Sequence, residues 1–330
     1  MLKSFIWGLA GMLCLSQPIM AKIWRVNNQL EADKSQGIFE QLGPLNSDPD
    51  VLPGDTVHLE GSPNSYSNFN CSKRLVILGP GYFLTENPET QARAIPARIG
   101  NVTFQSGSEG SIIMGVTFDI TSNSGVTIRT NNITVQRCYL RGGVSLDNIT
   151  GARVIECYSL GGVRGMTSNT LYGDIIVRNN LFINASFNTY GGFFSICENN
   201  VFTGNSLTIN ASSFRNNILA NNNANVEITS GNKSNNLASN GQFGTENGNK
   251  SVNLNGLFLD DGSTDGQWQL ASNSPAKGAG TEGTDAGAFG GEGSYRLSGL
   301  PPIPLIFDLR VGDSGNLQTG VRVQVKAKSN

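Results

Sequence analysis

The sequence predicts an all-β chain built as a parallel solenoid, with an N-terminal cap and a short C-terminal β extension. Three observations carry that prediction. The 330 residues include 41 Gly and 38 Asn, residue types that favour turns and left-handed backbone over helix. Short β-branched and aromatic segments alternate with those turns, and no stretch beyond residue 97 keeps a helical period. Finally, one motif returns: "VRNNLF" at 177–182, "CENNVF" at 197–202, "FRNNIL" at 214–219 and "KSNNLA" at 233–238. Its second asparagines, Asn180, Asn200, Asn217 and Asn236, stand 20, 17 and 19 residues apart.

The elements follow in order. Lys3, the apolar run 5–15 and the small residue Ala21 read as a secretory signal over 1–21. The run is shorter than the roughly 20 residues of a membrane span. The mature chain is therefore expected outside the cell or on its surface, with no membrane span of its own. Residues 22–49 read as the cap: a strand at Ile23, Trp24 and Val26, then Ile38, Phe39 and Leu42 on one face of a short helix ending near Gly43 and Pro44. Residues 50–291 read as the solenoid. "GDTVHLEGSPNSYSN" at 54–68 is strand, turn, strand, and "RLVILGPGYFL" at 74–84 is a β run stopped by Gly79, Pro80 and Gly81.

The repeat extends backwards with cysteine in place of asparagine. "VQRCYLRGGV" at 135–144 matches "VIECYSLGGV" at 154–163, 19 residues on, and "IIMGVTF" at 112–118 is an earlier copy. A sandwich needs hairpins every 8–12 residues and no self-similarity. A parallel solenoid needs a fixed set of short strands per coil, each pairing with the coil above and below. An inward Asn at each turn would then stack on its equivalents and satisfy buried backbone. Residues 292–330 change character: "LPPIPLIFDLRV" at 300–311 and "GVRVQVKAK" at 320–328 alternate at Leu305, Phe307, Leu309, Val311, Val321, Val323 and Val325. They read as two strands packed on the last rung or against a partner, either a C-terminal cap or a secretion or surface-sorting signal; the cap is preferred because an open solenoid end exposes strand edges.

The rung pattern of apolar, x, x, Asn, x, Phe is similar to that of the right-handed parallel β-helix superfamily, the architecture of pectate lyases. The opening at 54–84 resembles the first rungs of such proteins. "WQLASNSPAKGAGTEGTDAGAFGG" at 268–291, with Ser274, Pro275, Ala276, Asp285, Gly287 and Ala288, resembles their closing rung. The resemblance covers roughly 50–291 and implies a right-handed coil and a secreted setting. Lyases of this superfamily use an Arg or Lys base near acidic residues that hold calcium. A fold of this kind hosts many activities, so the resemblance says little about function.

The chemistry in the sequence is sparse. Net charge is −2 with no basic stripe, so no nucleic-acid partner is expected. His58 is the single histidine, and any Ser/His/Asp mechanism would have to use it. Cys71, Cys138, Cys157 and Cys197 have no histidine partners at metal-site spacing. Cys138 and Cys157 should sit one rung apart, either as a disulfide or as stacked thiols. Aligned without gaps, Arg137, Glu156, Arg178, Glu198 and Arg215 fall in one column of alternating charge. That column is either a groove for acidic sugars with an Arg base or a ladder of surface ion pairs of small energy. A register shift of one in the two cysteine rungs would break it. Asp260, Asp261 and Asp265 in "LDDGSTDG" form either an acidic calcium turn or a polar loop; no other cofactor is expected. The resulting expectation is a secreted or surface carbohydrate-binding or adhesive module whose partner is a polysaccharide or cell-surface glycan. The rivals are a lyase or glycoside hydrolase acting on an acidic polysaccharide, and a purely structural surface protein.

Overall fold

The computed structural model describes residues 21–316 and 320–329. The signal segment expected at 1–21 lies, but for Ala21, outside the described residues. No described helix is long and apolar enough to cross a membrane.

The architecture is a parallel β-solenoid. Its three main faces are a twelve-stranded, an eight-stranded and a five-stranded sheet. On the largest face the register runs Trp24, Val57, Ile77, Ile113, Val135, Val154, Val177, Cys197, Phe214. All of these point inward and are buried. On the second face the inward column is Phe118, Leu140, Ser159, Phe182, Phe202, Leu219, Ala238. Phe182 and Phe202 stack there at 5.5 Å with ring planes 9° apart. These columns are the core; each coil buries its apolar residues only because the next coil covers them.

The corner between these two faces explains the repeated asparagine pair. The first residue of the corner lies in the left-handed region at Arg137, Glu156, Asn179, Asn199, Asn216 and Asn235. Gly115 and Gly248 take the same position at φ 68° and 78°, a region where Asn and Gly carry the least strain. The second residue points inward. Asn180, Asn200, Asn217, Asn236 and Asn249 form a continuous ladder. From Asn200 onward the Oδ1 of each accepts both the backbone N–H and the Nδ2 of the preceding Asn, at 2.9–3.1 Å, and Asn180 Oδ1 accepts from Cys157 N–H. Each Nδ2 also donates to a carbonyl of the coil before, as Asn217 does to Cys197 O at 2.9 Å. In the two preceding coils the ladder position is held by Cys138 and Cys157, both buried free thiols.

The N-terminal strand Ile23–Val26 pairs in parallel with Thr56–Leu59 and is the first rung. The short helix expected at 38–42 is instead the strand Ile38–Phe39, paired with Arg25 and Val26. A 3-10 turn at Gly43–Asn46 follows it. Free backbone on the first rung draws Ile38 into the sheet, and Pro44 suits only the turn that follows.

Two features of the C-terminal region differ from the reading above. Parallel pairing ends at Lys250–Ser251, so 252–291 adds no described rung. This glycine-rich segment instead runs back along the outside of the eight-stranded sheet. There Leu257, Phe258, Ala276, Ala286, Ala288 and Tyr295 form a second core with Leu181, Val201, Ile218 and Leu237. Gly287 comes so close that an added Cβ would lie 2.7 Å from Ile218. The antiparallel hairpin of Leu305–Asn316 and Gly320–Lys328 does not cover the last rung either. Leu305 and Phe307 pack on Leu84 and Ala94, beside the early coils, because the returning segment has carried the chain back there.

Replacing Asn217 by Ala removes a rung from the ladder and orphans the backbone and side-chain N–H of Asn200. Each buried orphan costs about 1–3 kcal/mol. Asn217→Ala should therefore lower stability by about 3 kcal/mol in chemical denaturation, and the exposed neighbour Asn223→Ala by less than about 0.5 kcal/mol.

Candidate functional site

The charge column is broken by one residue. Gln136, Ile155, Arg178, Glu198 and Arg215 are in register. Arg137 and Glu156 occupy the next position, the left-handed corner, alongside Asn179. In the cysteine coils Val135 and Val154 face inward with Val177, and this places both charged residues one step later.

Most of these charges are spent on the fold. Arg137 Nε donates to Glu156 Oε2 at 2.6 Å, and the two side chains are only 12% and 6% exposed. Arg137 Nη1 also donates to Leu300 O at 2.8 Å, and Gln136 donates to the other oxygen of Glu156. Arg137 and Glu156 therefore clamp the returning segment. The outward asparagines do the same along the corner. Asn235 donates to Ala279 O, Asn199 to Asp285 O and Gly287 O, and Asn179 to Ala288 O and Gly290 O. Asn216 accepts from Thr281. Arg215 pairs with Glu198 at 2.7 Å.

Arg178 differs. Among the described residues it makes no ion pair within 4 Å. It opens, with Glu198, Arg215, Glu282 and Glu292, on a small cavity of about 280 Å³ between corner and returning segment.

Asp260, Asp261 and Asp265 do not converge. Asp260 and Asp261 are exposed, whereas Asp265 is fully buried. Asp265 Oδ1 accepts from Asn87 Nδ2 and Ser263 Oγ; its Oδ2 accepts from Ser298 N and Tyr295 Oη, at 2.7–3.1 Å. Tyr295 is itself 2.7 Å from Tyr82 Oη. Asp265 thus joins the 82–87 loop, the 263–267 turn and the 295–298 segment. Its oxygens are occupied by donors, so these residues do not fit calcium. Among the described residues no three His, Cys, Asp or Glu side chains come together as metal ligands would.

His58 lies half-buried on the outer row of the largest sheet, in register with Arg25. Burial, and to a lesser degree Arg25, lower its pKa despite nearby Glu60. With Glu60, Arg93, Pro80 and Pro304 it lines an open cleft of about 400 Å³.

One feature went unread in the sequence. Phe193 and Phe194 are adjacent in one extended segment and must face opposite ways. Phe194 is buried, while Phe193 is 46% exposed. Phe193 lines a shallow, mostly apolar groove of about 380 Å³ together with Asn210, Ala211, Ser212, Thr229, Ser230 and Gly231. Tyr190, in the preceding turn, is also exposed. The signal was the pair of adjacent aromatics in "YGGFF", beside coils rich in Asn, Ser and Thr.

No family model, curated protein or solved structure matches this chain.

Two measurements check this picture. Arg137→Ala should cost about 2–4 kcal/mol, because Glu156 is then left buried without its cation; Arg178→Ala should change stability by less than about 0.5 kcal/mol. The thiols give the second. Burial pushes Cys71 up to about 11 and raises Cys157 and Cys197 further. In the unfolded chain thiols ionise near 8.5. Above that pH the folded state holds protons that the unfolded state has lost, so stability falls as pH rises. Ellipticity should therefore show unfolding setting in between about pH 9 and 11, and a thiol reagent at pH 8 should label the native protein far more slowly than the unfolded chain.

Proposed function

We propose that this chain is a secreted or surface-exposed carbohydrate-binding module, with the groove beside Phe193 as its contact surface. The observation that carries the reading is an exposed aromatic ring on a shallow, mostly apolar groove edged by the amide of Asn210 and the hydroxyls of Ser212, Thr229 and Ser230. A sugar ring offers apolar C–H faces that lie against aromatic rings, and a rim of hydroxyls that exchanges hydrogen bonds with Asn, Ser and Thr. The solenoid repeats its outward polar positions coil by coil, which suits a polymer of repeating units. The right-handed β-helix resemblance of the rung motif is consistent with this setting.

Lyase chemistry has less support, because Arg137 and Arg215 are held by Glu156 and Glu198. Arg178 is the remaining one of the three arginines that could serve as a base.

The test is retention of the purified protein in gels containing neutral or uronic-acid polysaccharides, with product absorbance followed in parallel. Retention by at least one polymer is expected, and Phe193→Ala should weaken it at least fivefold without changing the melting temperature. Unchanged retention in Phe193→Ala would remove the groove from the reading. Unsaturated product that disappears in Arg178→Ala would replace binding by lysis.

A further inference from the structure

The solenoid is open at one edge. Strand Asn225–Ser234 pairs with Ser206–Arg215 and with no other described strand. Val226 and Ile228 point toward the interior but are only partly buried, whereas their partners one coil earlier, Leu207 and Ile209, are fully buried. Phe243 closes the neighbouring corner against Phe214 at 5.2 Å. The row from 225 to 230 therefore presents free backbone groups and an uncovered apolar strip, the combination that invites strand addition.

The C-terminal hairpin has the opposite defect. One of its faces carries Leu309, Val311, Val321, Val323 and Val325, each 49–58% exposed. The other carries Asp308, paired with Arg310 and Lys326. Among the described residues nothing covers that apolar face, and an uncovered two-stranded ribbon is marginal. Its root at Leu84 and Ala94 lies about seven coils from the open edge, roughly 34 Å at about 4.8 Å per coil.

We propose that the hairpin of one copy adds to the open edge of a second copy. Strand Gly320–Lys328 pairs with Asn225–Ser234, and its valines lie over Val226 and Ile228. The two strands have 9 and 10 residues. Their periods match, since both alternate apolar and polar. Their charges match as well. The exposed row of the edge is Asn225, Glu227, Thr229 and that of the incoming strand is Arg322, Gln324, Lys326. Glu227 thus meets a cation or an amide in any register that keeps the apolar residues inside. The contact joins two different surfaces, so it propagates head to tail.

Sedimentation velocity with light scattering on the purified protein tests this. Association should grow with concentration. Glu227→Lys and Val323→Asp should each weaken it at least tenfold, with circular dichroism confirming that both fold. Arg322→Glu, fully exposed, serves if Val323→Asp does not fold. The deciding experiment mixes the two variants: one keeps a working hairpin, the other a working edge, and the mixture should form dimers and nothing larger. A wild-type protein that stays monomeric throughout overturns the proposal. So does association that responds to Val323→Asp but not to Glu227→Lys, which would mean a hairpin-to-hairpin dimer. A mixture that stays monomeric also overturns it.

Discussion

The structure rests on one recurrent corner. From Gly115 onward each coil turns from its largest sheet to the next within two residues, through one left-handed backbone followed by a residue pointing inward. That inward residue sits against backbone N–H and C=O groups from which water is excluded. Leaving them unpaired would cost more than any single contact returns. Asparagine solves the problem because its amide has both a donor and an acceptor. It accepts from the coil before through Oδ1 and donates back through Nδ2. No member of the ladder is satisfied alone, which ties each corner to its neighbour. Cysteine does the same work less completely: Cys138 N–H meets Cys157 Sγ at 3.5 Å, a weak acceptor.

The other half of the pair has a separate role. Asparagine tolerates left-handed backbone, and here the same side chain faces outward and holds the returning segment. One dipeptide thus sustains the inside of the tube and fastens a second layer to its outside. This also accounts for the two apolar residues that follow each pair, as in Leu181 and Phe182. A strand exposed on one face would alternate, whereas adjacent buried residues mean that both faces are covered. Phe182 belongs to the tube and Leu181 to the outer core. Asp265, Tyr295 and Tyr82 close that layer at its far end, where the 82–87 loop and the 295–298 segment also bond directly, Tyr82 N–H to Ser298 O and Asn87 Nδ2 to Ser298 Oγ.

The sequence displayed the solenoid plainly because a repeat constrains residue type at a fixed period. The ladder and the coil-by-coil register could be read from "NN" and "CY" for that reason. The charge column was misread because charged residues at a corner obey backbone geometry as much as electrostatics. Arg137 and Glu156 stand where asparagine stands elsewhere, and only the inward valines reveal the shift. The course of 252–300 was not legible. Glycine and alanine carry little periodic signal, and what makes them fit is close approach to Ile218 and Val201, a property of the partner surface. That Asp265 alone of the three aspartates is buried was not legible either, because a run of acidic residues says nothing about which one faces inward.

Function follows from what the fold leaves unused. Arg137, Glu156, Glu198 and Arg215 are paired at the corner, leaving Arg178, and the thiols are buried. Three surfaces remain with unmet physical requirements: the ring of Phe193 and the groove beside it, the edge at 225–230, and the apolar face of the hairpin. The first has the character of a ligand surface, being small, open and mixed in polarity. The other two are different. An unpaired edge over half-buried valine and isoleucine, and a ribbon with five exposed apolar residues, are each unfavourable in water. Each supplies what the other lacks. A solenoid needs its end covered, and a chain whose tail is fastened back along its own side has moved its natural cover out of reach. Covering the end from a neighbouring copy satisfies both surfaces at once.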